Sequence, residues 1–260
     1  MWRTVCQSAI GSFHVETGLP CQDYGAYLQL GKDVLIGAVA DGAGSAKHSD
    51  LGAKIAVEAA LDFLVAVDNR PVSEPESEPV PPEGELAEIF EKTYPQLLQA
   101  VIEQLKLAAE QQKCDFADLA TTLLVFIATS NWLAAMQIGD GFILIKPVGE
   151  NYQLLFQPDK GEYINETTFV TSTNALEEMQ IAVLAEPVEF ICAATDGVEK
   201  VAINYADWQP FPPFFQPLER YLQTTEKPLT EDLKEFLERE DLNARTTDDK
   251  TLLLALWSND

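Results

Sequence analysis

The sequence predicts an α+β layered domain, with antiparallel sheets inside and helices segregated outside. Two helical stretches follow the first strand-like runs, and a long succession of β-branched and aromatic runs separated by turns fills most of the rest. The run from Val34 to Ala40 is apolar without alternation, as a short strand buried on both faces requires.

Taken in order, residues 4–10 and 26–40 read as strands, which leaves Asp41 just past a strand end. Ser49 is placed to cap a helix whose apolar positions Ile55, Ala56, Ala59, Ala60, Phe63 and Leu64 recur at helical spacing to about Val67. Residues 68–84 are rich in Pro and Glu and nearly free of large apolar side chains. They cannot repay the entropy of ordering, so a mobile, exposed insertion is expected there within one domain spanning 1–260. Leu86, Ile89, Phe90, Leu97, Leu98, Val101, Ile102, Leu105 and Ala108 mark a second amphipathic helix, with Pro95 expected to bend it or to begin a new segment. Strands are then expected over 120–129, 132–138, 141–147, 152–156, 166–171, 188–195 and 250–257. Residues 204–217 interrupt this rhythm with four prolines and with Trp208, Phe211, Phe214 and Phe215, as a surface flap or an aromatic cover on a sheet edge would. A short helical stretch follows near 229–240.

Composition narrows the function. In 260 residues, 47% hydrophobic, 17 basic side chains face 42 acidic ones, for a formal charge of -25. Such a surface repels nucleic-acid phosphates and anionic lipid over a Debye length of about 8 Å. Nucleic acid and membranes are therefore not expected as partners. Cys6, Cys21, Cys114 and Cys192 show no C-x-x-C spacing, so reduced thiols are expected in place of a zinc ribbon or disulfide framework. With neither a signal segment nor an apolar run of spanning length, a cytoplasmic monomer is the expectation.

Asp23, Asp41, Asp196 and Asp248, spread over almost the whole chain, each stand at a turn beside an apolar, strand-like run. Asp41 and Asp196 are each followed by glycine, which lets the backbone turn and approach a ligand closely. Oxygen-rich sets of this kind suit hard divalent cations.

In this order the motifs resemble those of the PP2C-type (PPM) metal-dependent protein serine/threonine phosphatases, especially a divergent bacterial branch. The matching pieces are Gly11-Ser12-Phe13-His14 with Pro20-Cys21-Gln22-Asp23, then Val39-Ala40-Asp41-Gly42-Ala43-Gly44-Ser45 and Ala120-Thr121-Thr122. Gln137-Ile138-Gly139-Asp140-Gly141, Ala194-Thr195-Asp196-Gly197-Val198 and Thr247-Asp248-Asp249-Lys250-Thr251 complete them. The likeness runs from about Val5 to Trp257 and is weakest over 66–115. It implies a central antiparallel β-sandwich flanked by helices, a four-layer α/β/β/α arrangement, with two Mg²⁺ or Mn²⁺ ions at one end. Asp41 would bridge both ions, Gly42 would lend its carbonyl oxygen, and Asp23, Asp196 and Asp248 would complete the shells. Asp140 would share a third, labile ion with Asp196. The implied reaction is attack by a water bridging the two ions on the phosphorus of a phosphoserine or phosphothreonine in a protein substrate, with Asp41 and Asp196 central to catalysis. Binding to a cation lowers the pKa of water from 15.7 towards about 7 in the best cases, so no side-chain base is needed.

The chain departs from the family pattern in several places. Ala43 stands where many relatives carry the histidine that protonates the leaving group, which leaves a metal-bound water, or His48, to donate. The family's N-terminal phosphate-binding arginine has no evident equivalent. His14 is the candidate to hold a phosphate oxygen, or else a structural histidine near a strand end, with Arg3 in reserve. Gln22 would orient a metal-bound water or serve as an ordinary turn amide. Asp249 is expected beside the ligands or exposed, and Thr121 and Thr122 are expected to be β-branched packing residues. These losses motivate a second reading, a catalytically weak phosphatase-like module that binds phosphoproteins. A third is a hydrolase of small phosphate metabolites on the same fold.

Overall fold

The computed structural model describes residues 1–67, 81–156, 167–227 and 229–258. Its strands are β1 (Trp2–Ala9), β2 (Asp23–Leu30), β3 (Val34–Asp41), β4 (Leu123–Ala128), β5 (Leu133–Ile138) and β6 (Phe142–Pro147). They continue with β7 (Gln153–Leu154), β8 (Gln180–Leu184), β9 (Val188–Ala194), β10 (Ile203–Asn204), β11 (Gln209–Pro210) and β12 (Lys250–Trp257). The helices are α1 (Ser12–Thr17), α2 (Ser49–Val67), α3 (Glu83–Gln112), α4 (Glu199–Ala202), α5 (Pro212–Thr224), α6 (Thr230–Leu237) and α7 (Glu240–Asn243).

Among the described residues, two five-stranded antiparallel sheets form, ordered β1-β12-β9-β6-β7 and β2-β3-β4-β5-β8. Strand periodicity divides each central strand between two cores. Leu35 and Val39 of β3 meet Leu253 and Ala255 of β12 between the sheets. Val34, Ile36, Ala38 and Ala40 face the opposite way, onto α2 and α3. Likewise Leu252, Leu254 and Leu256 of β12 pack beneath α5, α6 and α7. The result is a helix-sheet-sheet-helix stack, and the lack of alternation in β3 follows from its burial on both faces. Truncating a fully buried leucine such as Leu253 to alanine would cost about 2–5 kcal/mol.

Several expectations are corrected. Of the insertion expected over 68–84, residues 68–80 lie outside the described residues, and Glu83 and Gly84 already belong to α3. That helix runs on through Pro95, which therefore begins no new segment. The described part of the strand expected over 166–171 is coil and turn; its backbone turns back at Phe169–Ser172, and the Val170 N–H donates to Thr121 O at 2.8 Å. The proline-rich stretch over 204–217 is ordered, with Tyr205 and Phe211 exposed on it. It holds the β10–β11 hairpin and the start of α5, whose Phe214 and Phe215 are buried in the outer core. Pro212 and Pro213 open that helix, where the missing N–H groups have no intrahelical partner to lose. The four cysteines are free, Cys6 and Cys192 buried, Cys21 and Cys114 half-buried. No described helix is long and apolar enough to cross a membrane.

Candidate metal centre

Strand register brings the aspartates to one end of the sandwich. Asp23 opens β2 directly opposite Asp41, which closes β3. Asp196 lies two residues past the end of β9, and Asp248 two residues before β12, whose Leu252 pairs with Ala194 of β9. Asp140 sits in the turn between β5 and β6. Asp41, Asp140 and Asp196 each present an oxygen, and these oxygens lie within 4.8 Å of one another. Asp248 is exposed at the rim, close enough for its charge to act on both Asp41 and Asp196.

The chain builds this end from hydroxyls and close backbone contacts. Thr122 Oγ1 accepts from the Asp41 N–H at 2.9 Å, while the Thr122 N–H and the Thr121 hydroxyl donate to Asp41 O at 2.8 and 2.9 Å. These threonines therefore hold the Asp41 backbone as well as packing. Thr195 and Thr251 hydroxyls donate to Asp23 Oδ2 at 2.7 and 2.9 Å. A Cβ on Gly42 would come within 2.6 Å of Ser49 O and 2.8 Å of Gln22 O, and one on Gly197 within 1.7 Å of Asp249 O. Only glycine lets these turns close.

Electrostatically the cluster is dominated by negative charge, which Lys200 beside Asp196 and the buried Lys250 offset only in part. Burial raises the Asp41 carboxyl to about 11, and Asp23, Asp196 and Asp248 push in the same direction. Burial likewise lifts Asp23 to about 7 against the pull of the Thr195 hydrogen bond. Asp196 rises to about 7 through burial and the charges of Asp140 and Asp248. Asp23 Oδ1 and Asp196 Oδ1 are buried without a hydrogen-bond partner. An ionised acceptor left in that state is costly unless a cation meets it. Hard oxygen donors, crowded enough to repel one another when ionised, fit one or more divalent cations.

The remaining candidates fall into different places. His14 is buried in α1 with Nδ1 2.8 Å from Asp249 Oδ2. Asp249 is itself 2% exposed, so it is neither a rim residue nor open to solvent. Gln22 is buried, donating its N–H to Asp249 Oδ2 and accepting from the Gly42 N–H, while its side-chain Oε1 has no partner. Ala43 is buried and His48 exposed ahead of α2, its carbonyl accepting from the Gly52 N–H. Arg3 is removed from the site: it pairs with Leu256, six residues along β1 from the Ala9–Lys250 end, and donates to Leu222 O and Gln223 O in the last turn of α5.

Sequence reasoning missed four contributors. The hydroxyls of Thr195 and Thr251 carried no signal beyond their place next to Asp196 and two residues after Asp249. Lys250 is fully buried and donates from Nζ to Asn243 Oδ1 and Asp248 O; burial holds its pKa below the usual lysine value. Glu199, three residues after Asp196, is raised to about 7 by burial and then by Asp196 and Asp140. Its position in the first turn after Asp196-Gly197 was the available clue.

Comparison with known proteins adds an independent line. Residues 10–238 match the model of the family described as Protein phosphatase 2C. The chain is 33% identical over 265 residues to serine/threonine-protein phosphatase 3 of Escherichia coli (strain K12), with 99% of each covered. In fold it is similar to the S. agalactiae serine/threonine phosphatase (TM-score 0.62, 17% identity, 99% of this chain and 100% of that one). It is also similar to the catalytic domain of the serine/threonine protein phosphatase PstP, solved with two manganese ions (TM-score 0.55, 15% identity, 98% and 97% covered).

Proposed function

Because this chain belongs to the protein phosphatase 2C family, we propose that it dephosphorylates phosphoserine and phosphothreonine in proteins at the acidic end of its sandwich. The enzyme is a metal-dependent protein serine/threonine phosphatase. The observation that carries the choice of site is the convergence of Asp41, Asp140 and Asp196 oxygens beside the unpartnered oxygens of Asp23 and Asp196.

In this reading Asp41, Asp23, Asp196, Asp248 and the Gly42 carbonyl would hold two Mg²⁺ or Mn²⁺ ions, and Asp140 with Asp196 would hold a third. Bound there, the cations would neutralise phosphate charge and bring the pKa of water towards the neutral range. The protein's own contribution is placement. Asp41, at the centre, is kept from moving by the Thr121 and Thr122 bonds to its backbone. Thr195 and Thr251 fix Asp23 by one oxygen and leave the other free to bind. Asp140, which accepts from the Thr167 hydroxyl at 2.6 Å, marks the solvent side from which a phosphorylated segment enters. Ala43 supplies no proton, so the departing side-chain oxygen takes its proton from water in the site. The protein is read as a cytoplasmic monomer whose acidic surface excludes nucleic acid and anionic lipid.

The test is phosphate release from a phosphothreonine peptide with Mn²⁺, against EDTA, for the wild type, Asp41→Asn and Asp196→Asn. Turnover that needs Mn²⁺ and both aspartates supports the assignment. An inert wild type would favour the phosphoprotein-binding module instead, and faster release from free nucleotides would favour the metabolite hydrolase.

A further inference from the structure

Asp249 does something the family resemblance does not assign to it. Its Oδ1 accepts the Gly11 N–H at 2.6 Å, and its Oδ2 accepts the Gln22 N–H at 2.6 Å and meets His14 Nδ1 at 2.8 Å. Both oxygens are acceptors to backbone amides, so the histidine must meet them as a donor, with its proton on Nδ1. These three partners lie 227 to 238 residues away along the chain. The contact is reinforced by the backbone, where the Phe13 N–H donates to Thr247 O at 3.0 Å. A Cβ on Gly11 would fall 2.3 Å from the Asp248 carbonyl carbon, so the two segments touch directly.

The consequence reaches the metal-holding set by covalent and hydrogen-bonded steps. Gln22 precedes Asp23, and its carbonyl accepts the Gly42 N–H at 3.1 Å. Asp248 precedes Asp249 and accepts the Asp249 N–H at 2.9 Å on its own Oδ1. One buried carboxylate thus registers the turns that carry Asp23, Gly42 and Asp248. We propose that Asp249 and His14 form a clasp that sets the mutual spacing of these three turns, making both positioning residues for the reaction. The proposal rests on the reading of Asp23, Gly42 and Asp248 as metal-holding groups. It gives His14 a task carried by Nδ1 inside the fold, in place of contact with the substrate phosphate.

The experiment compares His14→Ala, His14→Asn and Asp249→Ala in the full chain, measuring Mn²⁺ affinity by calorimetry, kcat and KM on a phosphothreonine peptide, and Tm. Loss of an outer partner of a metal ligand typically weakens metal affinity about 10- to 100-fold, and that range is expected for both alanine variants. The two losses should not add, since either one opens the same clasp. His14→Asn, whose amide N–H occupies the place of Nδ1–H, should hold Mn²⁺ within about threefold of the wild type and keep its turnover. Two results overturn the proposal. In one, His14→Ala lowers Tm while Mn²⁺ affinity and kcat stay unchanged, which would make the contact merely structural. In the second, His14→Asn and His14→Ala lose turnover equally with Mn²⁺ affinity intact, which would place the other ring nitrogen in the chemistry. If Asp249→Ala does not fold, the two His14 variants decide alone. A wild type that binds Mn²⁺ without turnover would sink the phosphatase reading and leave the affinity comparison to judge the clasp; one that binds no Mn²⁺ overturns both.

Discussion

Replacing Asp41 by asparagine should stabilise the metal-free protein while abolishing its activity. The Asp41 carboxyl stands at about 11 in the fold against an ordinary 3.8, from burial first and from Asp23, Asp196 and Asp248 next. A folded-state pKa above the unfolded value means that the side chain is tolerated best below pH 3.8, and that stability is lost as pH rises from there through about 11. Each pH unit of that interval is worth about 1.36 kcal/mol. Some four units separate the ordinary carboxyl from pH 8, an upper bound of about 6 kcal/mol, and water at this partly exposed side chain reduces it to roughly 2 kcal/mol. Asparagine has no proton to retain and nearly the same shape. Urea unfolding in EDTA at pH 8 should therefore show Asp41→Asn more stable by about 2 kcal/mol, equivalent to about 4–8 °C in Tm for a chain of this size. Near pH 4 the two proteins should unfold alike. An Asp41→Asn protein that is no more stable than wild type at pH 8 in EDTA, or whose gain is the same at pH 4, would refute the electrostatic account of this end of the sandwich.

Other consequences can be checked alongside. Binding of Mn²⁺ should expel protons held by Asp23, Asp41 and Asp196, so affinity should rise from pH 6 to pH 8; calorimetry in buffers of different ionisation heat measures the release, and a pH-independent affinity would count against it. Gly42→Ala forces a Cβ against the backbone oxygens of Ser49 and Gln22, and should lower stability by about 1–3 kcal/mol and turnover by at least about tenfold. Thr251→Val removes a donor from Asp23 Oδ2 at nearly constant volume; a stability loss of about 1 kcal/mol with weaker Mn²⁺ binding is expected, and unchanged Mn²⁺ binding would show that Thr251 does not orient Asp23.

What the sequence made legible was whatever tertiary structure merely reinforced. The twin-faced burial of β3, the Ser49 start of α2 and the last strand β12 all lie where apolar spacing put them. The aspartate positions were visible because each turn is marked by adjoining glycine or strand residues. Elements whose order comes from distant partners were hidden. Helix α1 has six residues, too few to stand alone, and is tied down by Thr247 and Asp249. Strand β8 is a half-buried edge that exists by pairing with β5. Helix α5 was masked by its prolines, two of which occupy the tolerated first turn. The run Phe169–Thr171 has the composition of a strand, but Val170 spends its N–H on Thr121 at the mouth of the site. Within the site, ligand-type residues announce themselves by charge, whereas Thr195, Thr251 and Asp249 act through partners that only the fold brings near.

The central claim, that this acidic end holds catalytic divalent cations, is tested most directly by anomalous scattering from crystals soaked in Mn²⁺. Two strong peaks beside the Asp41 carboxylate, one of them also within reach of Asp196, are the predicted result. Manganese bound away from both side chains, or absent from crystals of protein that turns over phosphopeptide, would contradict it.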